Sequence, residues 1–450
     1  MRIAIVGSGI TGLVAAWALS QPRDGETHEV VLYEAEPRLG GHSHTIDVTI
    51  GGQTTPVDTG FIVYNTRNYP HLIRIFSELG VETEESEMSF AVSVDRGAFE
   101  YSGSWRGLIG QPSNWLQPRY WKMMRDIIRF YKNEPARLAD LRDARFEENP
   151  LTLRDLIRIG GYGADFADRH ILPMAAAIWS SSVEKILDFP AHTFLKFFEN
   201  HGLFSVNDRP QWRTVSGGSR SYVNKISAQI SGGVRLNAPI ASLVRTAEGV
   251  SMITASGDRD EFDQLVLATH PDQALSILGS EATTAERDVL DHFRYQPNEA
   301  VVHTDERLMP RRKSLWSSWN YITDGDDQSQ AVCVTYWMNR LQNLTTDKPL
   351  LVSINPHIPV DEDAILQKMM YRHPVMDTSM LKGQGLLPEI QGTLNTWYCG
   401  AWCGYGFHED GASAGLAVAS ALGRPLPWAD DIIPISPAGE AVHSGISRAA

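Results

Sequence analysis

The chain has only 3 cysteines in 450 residues, which excludes a disulfide scaffold. Long apolar runs are missing too: none approaches the roughly 18 residues that a spanning helix needs. Basic charge is in deficit, with 40 Lys and Arg against 54 Asp and Glu and a formal charge of −14. Non-specific nucleic-acid binding needs the opposite balance and is not expected. No nucleophile elbow, phosphate P-loop or H-E-x-x-H zinc pair occurs. Cys399 and Cys403 lack the two further ligands of a zinc site and read as buried thiols. Arg2 opens a strand-like run that leads straight into glycines, so no signal peptide is expected. A reducing, cytoplasmic setting follows as the default.

What the sequence does carry is concentrated in its first forty residues. Arg2 to Val6 is a short apolar run of the kind a buried parallel strand requires. Gly7-Ser8-Gly9-Ile10-Thr11-Gly12 follows and fits G-x-G-x-x-G, and Leu13 to Leu19 reads as a helix. The glycines permit a tight turn and let backbone approach a pyrophosphate, and the helix N-terminus offers amides to that anion. A second strand, Glu29 to Tyr33, ends at Glu34, 22 residues after Gly12. That is the expected place for an acid that holds a ribose hydroxyl. Strand, glycines, helix, strand and acid in this order indicate a dinucleotide site. Glu36-Pro37-Arg38-Leu39-Gly40-Gly41-His42 comes next, and its glycines suit a chain passing close to a bulky cofactor.

Arg-x-Gly-Gly after a ribose acid resembles the flavin signature of the amine oxidase and phytoene desaturase superfamily. The resemblance implies FAD at Gly7, Gly9, Ile10, Thr11, Gly12, Glu34, Ala35, Arg38, Gly40, Gly41 and His42. It extends this set to Thr59, Gly60 and Phe61 and, at the C-terminal end, to Gly400, Ala401, Gly411 and Ala412. Members often carry Arg after the glycine pair, where this chain has His42, and an acid where it has Ala401. Blocks such as His42-Ser43-His44-Thr45, Asp58 to Asn65, Met174 to Ser180 and Gly404 to Gly411 are similar to a bacterial branch of FAD/NAD(P)-binding proteins. That branch is associated with cyclopropane fatty acid synthases and, in one group, with furan fatty acid formation.

The implied fold is α/β, a discontinuous Rossmann-like FAD-binding domain with an inserted α+β substrate domain. The expected cofactor segments are 1–70, 210–295 and 386–425; those of the substrate domain are 71–209 and 296–385, with a tail at 426–450. Strands are expected at Phe262 to Ala268 and Thr396 to Gly400, and an alanine- and leucine-rich helix at Ala412 to Leu422.

The implied activity is FAD-dependent oxidation of a fatty-acyl chain, methyl-branched and phospholipid-bound, by hydride transfer to flavin N5. His408 is the first candidate for moving the proton, with Glu409 second. Tyr64 and Asn65 either point into the site or support it from behind. His42 and His44 could contact flavin phosphate or carry a covalent link. Glu409 and Asp410 could equally be helix N-terminal acids. One alternative is a flavin amine oxidase that releases hydrogen peroxide, with Trp402, Tyr405 or Phe407 caging the amine. The other is a non-catalytic flavin-binding partner of an acyl-modifying methyltransferase. Trp179, after a run of small residues, could shape a slot for a chain or fill a helix core.

Residues 119–132 read as a basic amphipathic helix, with Trp121, Met124, Ile128 and Tyr131 on one face and Arg125, Arg129 and Lys132 on another. Such a helix could lie on an anionic membrane, the inner face in a bacterium, or simply cover the substrate domain.

Overall fold

The structure is a computed structural model that describes residues 1–141, 150–204, 210–324 and 333–429. Its first half-turn follows the expected plan. The strand Arg2–Val6 feeds through the glycines into the helix Ile10–Ser20, and the chain returns as the strand Glu29–Tyr33. All eleven residues of that helix are buried, as an apolar helix between layers must be. The two strands pair in parallel, and Gln264–Leu267 and Thr396–Tyr398 add to the same sheet. Val234–Arg235 extends the other edge beside Glu29–Tyr33. The result is a five-stranded parallel sheet assembled from three distant stretches of chain.

The C-terminal helix, His408–Ala421, covers the first helix. Close approach is possible because both Gly411 and Gly415 face it. A Cβ at Gly415 would lie 2.6 Å from the Thr11 carbonyl oxygen. The helix begins at His408 and not at Ala412, so His408, Glu409 and Asp410 form its first turn. The start of the expected tail is packed, with Leu426 and Trp428 buried. The rest of it, 430–450, lies outside the described residues.

A second, seven-stranded sheet stands beyond the cofactor sheet. Six neighbouring strand pairs build it from Phe90–Val94, Phe99–Ser102, Tyr295–His303, Trp319–Thr323, Cys333–Trp337, Leu351–Ile354 and Ile365–Pro374. Between its first and later strands the chain forms helices, including Pro118–Asp140, Leu172–Trp179 and Ala191–Asn200. Their core is largely aromatic: Phe130 touches Phe166 and Phe198, and Phe194 meets Phe198 at 4.5 Å.

Candidate active site

The glycine turn is built as a cradle. A Cβ at Gly12 would sit 1.9 Å from the Gly7 carbonyl oxygen, so only glycine lets the helix start this close to the strand. Gly9 is different: no atom lies within 4 Å of where its Cβ would be. Gly9 is the helix N-cap and makes no side-chain cap, and the first turn holds no acid. The leading amides therefore face outward as donors with the positive end of the helix dipole behind them. Ile10 and Thr11 turn their side chains toward Gly411, so they have only backbone to offer a phosphate.

Glu34 is oriented before any ligand arrives. One carboxylate oxygen accepts from Ser8 N at 3.0 Å and Ser8 Oγ at 2.5 Å, and the other from Glu36 N at 2.9 Å. Ala35 beside it is exposed. Arg38 donates to the Gly41 carbonyl at 2.9 Å and forms no ion pair among the described residues. Gly40 and Gly41 have positive φ, and Gly41 lies against Gly9. Thr59, Gly60 and Phe61 run beside His42 to His44. Thr59 and Phe61 donate backbone N–H groups to the His44 and His42 carbonyls, and Gly60 is close enough to His42 O to exclude a side chain.

Several residues at this site were not legible in advance. Alternate residues of the Ile365–Pro374 strand, Tyr371 and His373, lie against His42 at ring distances of 5.0 and 5.2 Å. Tyr371 hydroxyl hydrogen-bonds Thr59 Oγ1 at 2.6 Å and His44 Nδ1 at 2.8 Å. His270, at the end of a cofactor strand, stacks on Tyr295 at 3.9 Å. Burial depresses the basicity of His42 and His44 to about 4 and of His270, His373 and His408 to about 3; the Arg38 charge adds to it at His42 and His44, and the neighbouring His42 ring at the other three. Neutral imidazoles are thus grouped here at pH 7. His42 Nε2 is buried with no hydrogen-bond partner among the described residues. Strand alternation could have flagged Tyr371 and His373 as one face, but nothing in the sequence said which element that face meets.

His408 stacks on Phe61 with ring centroids 3.8 Å apart, and its Nε2 meets Ser43 Oγ at 3.1 Å. Ser43 in turn is hydrogen-bonded to the buried Tyr222 hydroxyl. Glu409 departs from its expected role. Its carboxylate is buried and accepts from His71 N, His71 Nδ1 and Leu72 N, so it holds a neighbouring helix and has no lone proton task. Asp410 accepts from Phe407 N, a helix-start acid. Gly411 and Ala412 are corrected as well. Gly411 packs on Ile10 and Thr11, and Ala412 is wholly buried, so the side of the helix they form is taken up by helix packing. Ala401 remains partly exposed; its carbonyl, and that of Gly400, accept bonds from the following turn. Tyr64 packs edge-on against Tyr69 and Phe76. Asn65 Oδ1 caps Arg67 N and Asn68 N.

Two of the three rings named for an amine cage are engaged in packing. Trp402 turns into the core against Phe293 at 4.5 Å, and its indole donates to the Thr269 carbonyl. Phe407 instead stacks on Phe197 at 5.0 Å, which also meets His201 at 3.8 Å and Trp179 at 4.7 Å. Trp179 is buried among these rings. Cys399 and Cys403 are fully buried, and burial pushes both thiols up.

A parallel sheet, an uncapped glycine helix, a pre-oriented acid at Glu34 and an arginine outside any described ion pair have the make-up of a dinucleotide-binding site. The residues fit FAD: the Gly9 cradle stands open, and the orphaned His42 nitrogen seeks a partner. The family model for flavin containing amine oxidoreductases matches residues 10–367, and the chain belongs to that family. Its cofactor is FAD. Flavin-containing amine oxidase B of Bos taurus is 25% identical over 288 residues, 61% of this chain and 51% of that protein. The chain thus spans little more than half the length of the curated relatives it matches. Among solved structures, the CLA-producing fatty acid isomerase of P. acnes aligns with a TM-score of 0.65 at 17% identity, covering 93% of this chain and 98% of that one. Cyclohexylamine oxidase of Brevibacterium oxydans gives 0.61 at 14%, with 94% and 99% covered.

Proposed function

We propose that this flavoprotein oxidises an apolar fatty-acyl chain, introducing a carbon–carbon double bond. One observation carries the reading: the side chains packed behind Phe407, the residue before His408, are aromatic, and the acids of the same helix turn are committed. Phe407, Phe197, His201 and Trp179 form a continuous run of rings. Glu409 and Asp410, the carboxylates of the same turn, are tied to backbone amides. A protonated amine needs a free carboxylate or a cage, whereas an alkyl chain needs only apolar surface. FAD, when bound, supplies the two-electron acceptor. The chain's part is to lay the substrate along the rings, exclude water and receive one proton. His408, a neutral imidazole hydrogen-bonded to Ser43, is placed to take it. A protein of the same fold is a fatty acid isomerase, so the fold is compatible with such a substrate.

Amine oxidation is the second reading, favoured by the curated relatives. The test is the flavin's visible band under nitrogen. Bleaching by lipid with methyl-branched unsaturated chains, and not by amines, is expected. Bleaching by amines alone overturns the proposal, and a flavin that neither reduces points to the non-catalytic partner of a methyltransferase.

A further inference from the structure

The helix Pro118–Asp140 buries a different face from the one its apolar residues suggested. Tyr120, Met123, Phe130 and Leu138 point inward, together with two buried carboxylates. Asp126 is held by Arg129 and Gly163 N, and Glu134 by Arg137 and the Tyr162 hydroxyl. Met124 and Tyr131 are half-buried flanks. Trp121 and Ile128 are left outside, 56% and 68% exposed. Helical spacing puts Arg125 and Lys132 on that same outer stripe.

The chain leading into the helix continues the patch. Leu116 is 87% exposed, Ile109 53% and Trp115 42%. The Trp121 indole donates to the Trp115 carbonyl at 2.9 Å, which ties the two ends together. Of the 14 large hydrophobic residues exposed among the described residues, five lie within this 20-residue stretch. Single exposed apolar residues are ordinary, but a cluster marks an interaction surface.

From this we infer that the Ile109–Lys132 face docks on an anionic lipid bilayer. Charge selects the occupant. Residues 105–132 carry six basic side chains and one acid, the buried Asp126, in a chain of formal charge −14. A second copy of the chain would bring two basic patches together. Nucleic acid would leave Leu116 and Ile128 unmatched. A bilayer meets both demands: Trp and aliphatic side chains enter the interface, and Arg and Lys extend their stems and keep their charges at the headgroups. The helix then lies flat, its inner face still covering the aromatic core. This surface stands independently of the substrate reading, although an acyl chain in a phospholipid would have to be met there.

The test is flotation of the FAD-loaded protein with straight-chain vesicles of phosphatidylglycerol and phosphatidylethanolamine, and separately of phosphatidylcholine. Binding to the anionic vesicles alone, released by raising salt from about 0.1 to 0.5 M, is expected. Trp121→Ser with Ile128→Ser, and Lys122→Glu with Arg125→Glu, should each lower the bound fraction at least tenfold while keeping the flavin band. Leu116→Ser, in the exposed connector, provides a variant that leaves the helix untouched. No binding to anionic vesicles, equal binding to phosphatidylcholine, or binding indifferent to all three variants overturns the inference. Because the vesicles carry no branched chains, this result is separate from whether lipid reduces the flavin.

Discussion

The Glu409 carboxylate receives His71 through both its backbone and its ring, at 2.9 and 2.6 Å, and Leu72 N at 3.1 Å. Residues 338 positions apart are joined at one buried point. The helix Pro70–Glu78 has no side-chain cap from Tyr69, and Glu409 satisfies its leading amides in place of one. The same bond holds the first turn of His408–Ala421, so the position of His408 depends on it.

Glu409→Ala should therefore destabilise the protein by about 3 kcal/mol, because it strands buried donors. Glu409→Gln keeps an acceptor and should cost less, roughly 1–2 kcal/mol. Urea midpoints of the FAD-loaded protein measure both. In Glu409→Gln, which keeps an acceptor and with it the place of His408, the rate of flavin reduction per bound flavin should stay within a few-fold of the parent. A rate collapse in a Gln variant of normal stability would return Glu409 to the chemistry.

The two helix glycines separate folding from binding. Gly9 has φ −61° and ψ 175°, which alanine accepts, and no neighbour to strike. Gly9→Ala should leave the urea midpoint of the FAD-free protein nearly unchanged, within about 1 kcal/mol, yet weaken FAD binding at least tenfold. Gly12→Ala should lose both, since its Cβ would press the Gly7 carbonyl. Equal FAD affinity in Gly9→Ala would move the phosphate contact elsewhere.

The cofactor half was readable because its signals are local. Gly7 to Gly12, the strands around them and Glu34 lie within 34 residues and obey periodicity and turn chemistry. The site's other half depends on contacts between distant elements. Tyr371 and His373 reach His42 only because the second sheet ends beside the cofactor sheet. Gly411 looked like a cofactor glycine since a loop-to-helix glycine usually has that use; here close helix packing needs it. Trp121 and Ile128 showed the same limit: helical spacing revealed an apolar stripe, and only packing showed that it faces outward.

Acid should open the site. Burial holds His42 and His44 at about 4 and His270, His373 and His408 at about 3, below the ordinary 6.5. The unfolded chain takes up these protons first, so stability is fully present above about pH 7 and falls as pH drops toward 4. Each histidine contributes up to about 1.4 kcal/mol per pH unit in that window. Asp58 acts against them: burial raises its carboxyl to about 6, so its protonation favours the folded state as pH falls through 6. Five groups outweigh one. Flavin release, followed by fluorescence, should come between about pH 6 and 4.5 with uptake of several protons. His373→Asn should lower the midpoint, and a chain stable to pH 4 would contradict the buried neutral cluster.

His408 makes the sharpest kinetic prediction. A histidine held at about 3 by burial stays neutral across the working range. Ser43 and Tyr222 hold the imidazole in place as a neutral acceptor, which takes a proton only transiently and does not act as a resting acid. Anaerobic flavin reduction by saturating substrate should therefore be flat between about pH 6 and 8 and carry no limb near the ordinary histidine value. His408→Ala should slow reduction about 10²–10⁴-fold while the yellow flavin remains bound. Ser43→Ala and Tyr222→Phe should each slow it less, since the imidazole keeps its stacking on Phe61. A limb near pH 6.5 that disappears in His408→Ala would show a titrating base and overturn the assignment of a permanently neutral imidazole. An unchanged rate in that variant would remove His408 from the mechanism and leave the neutral histidines around His42 as the next groups to replace.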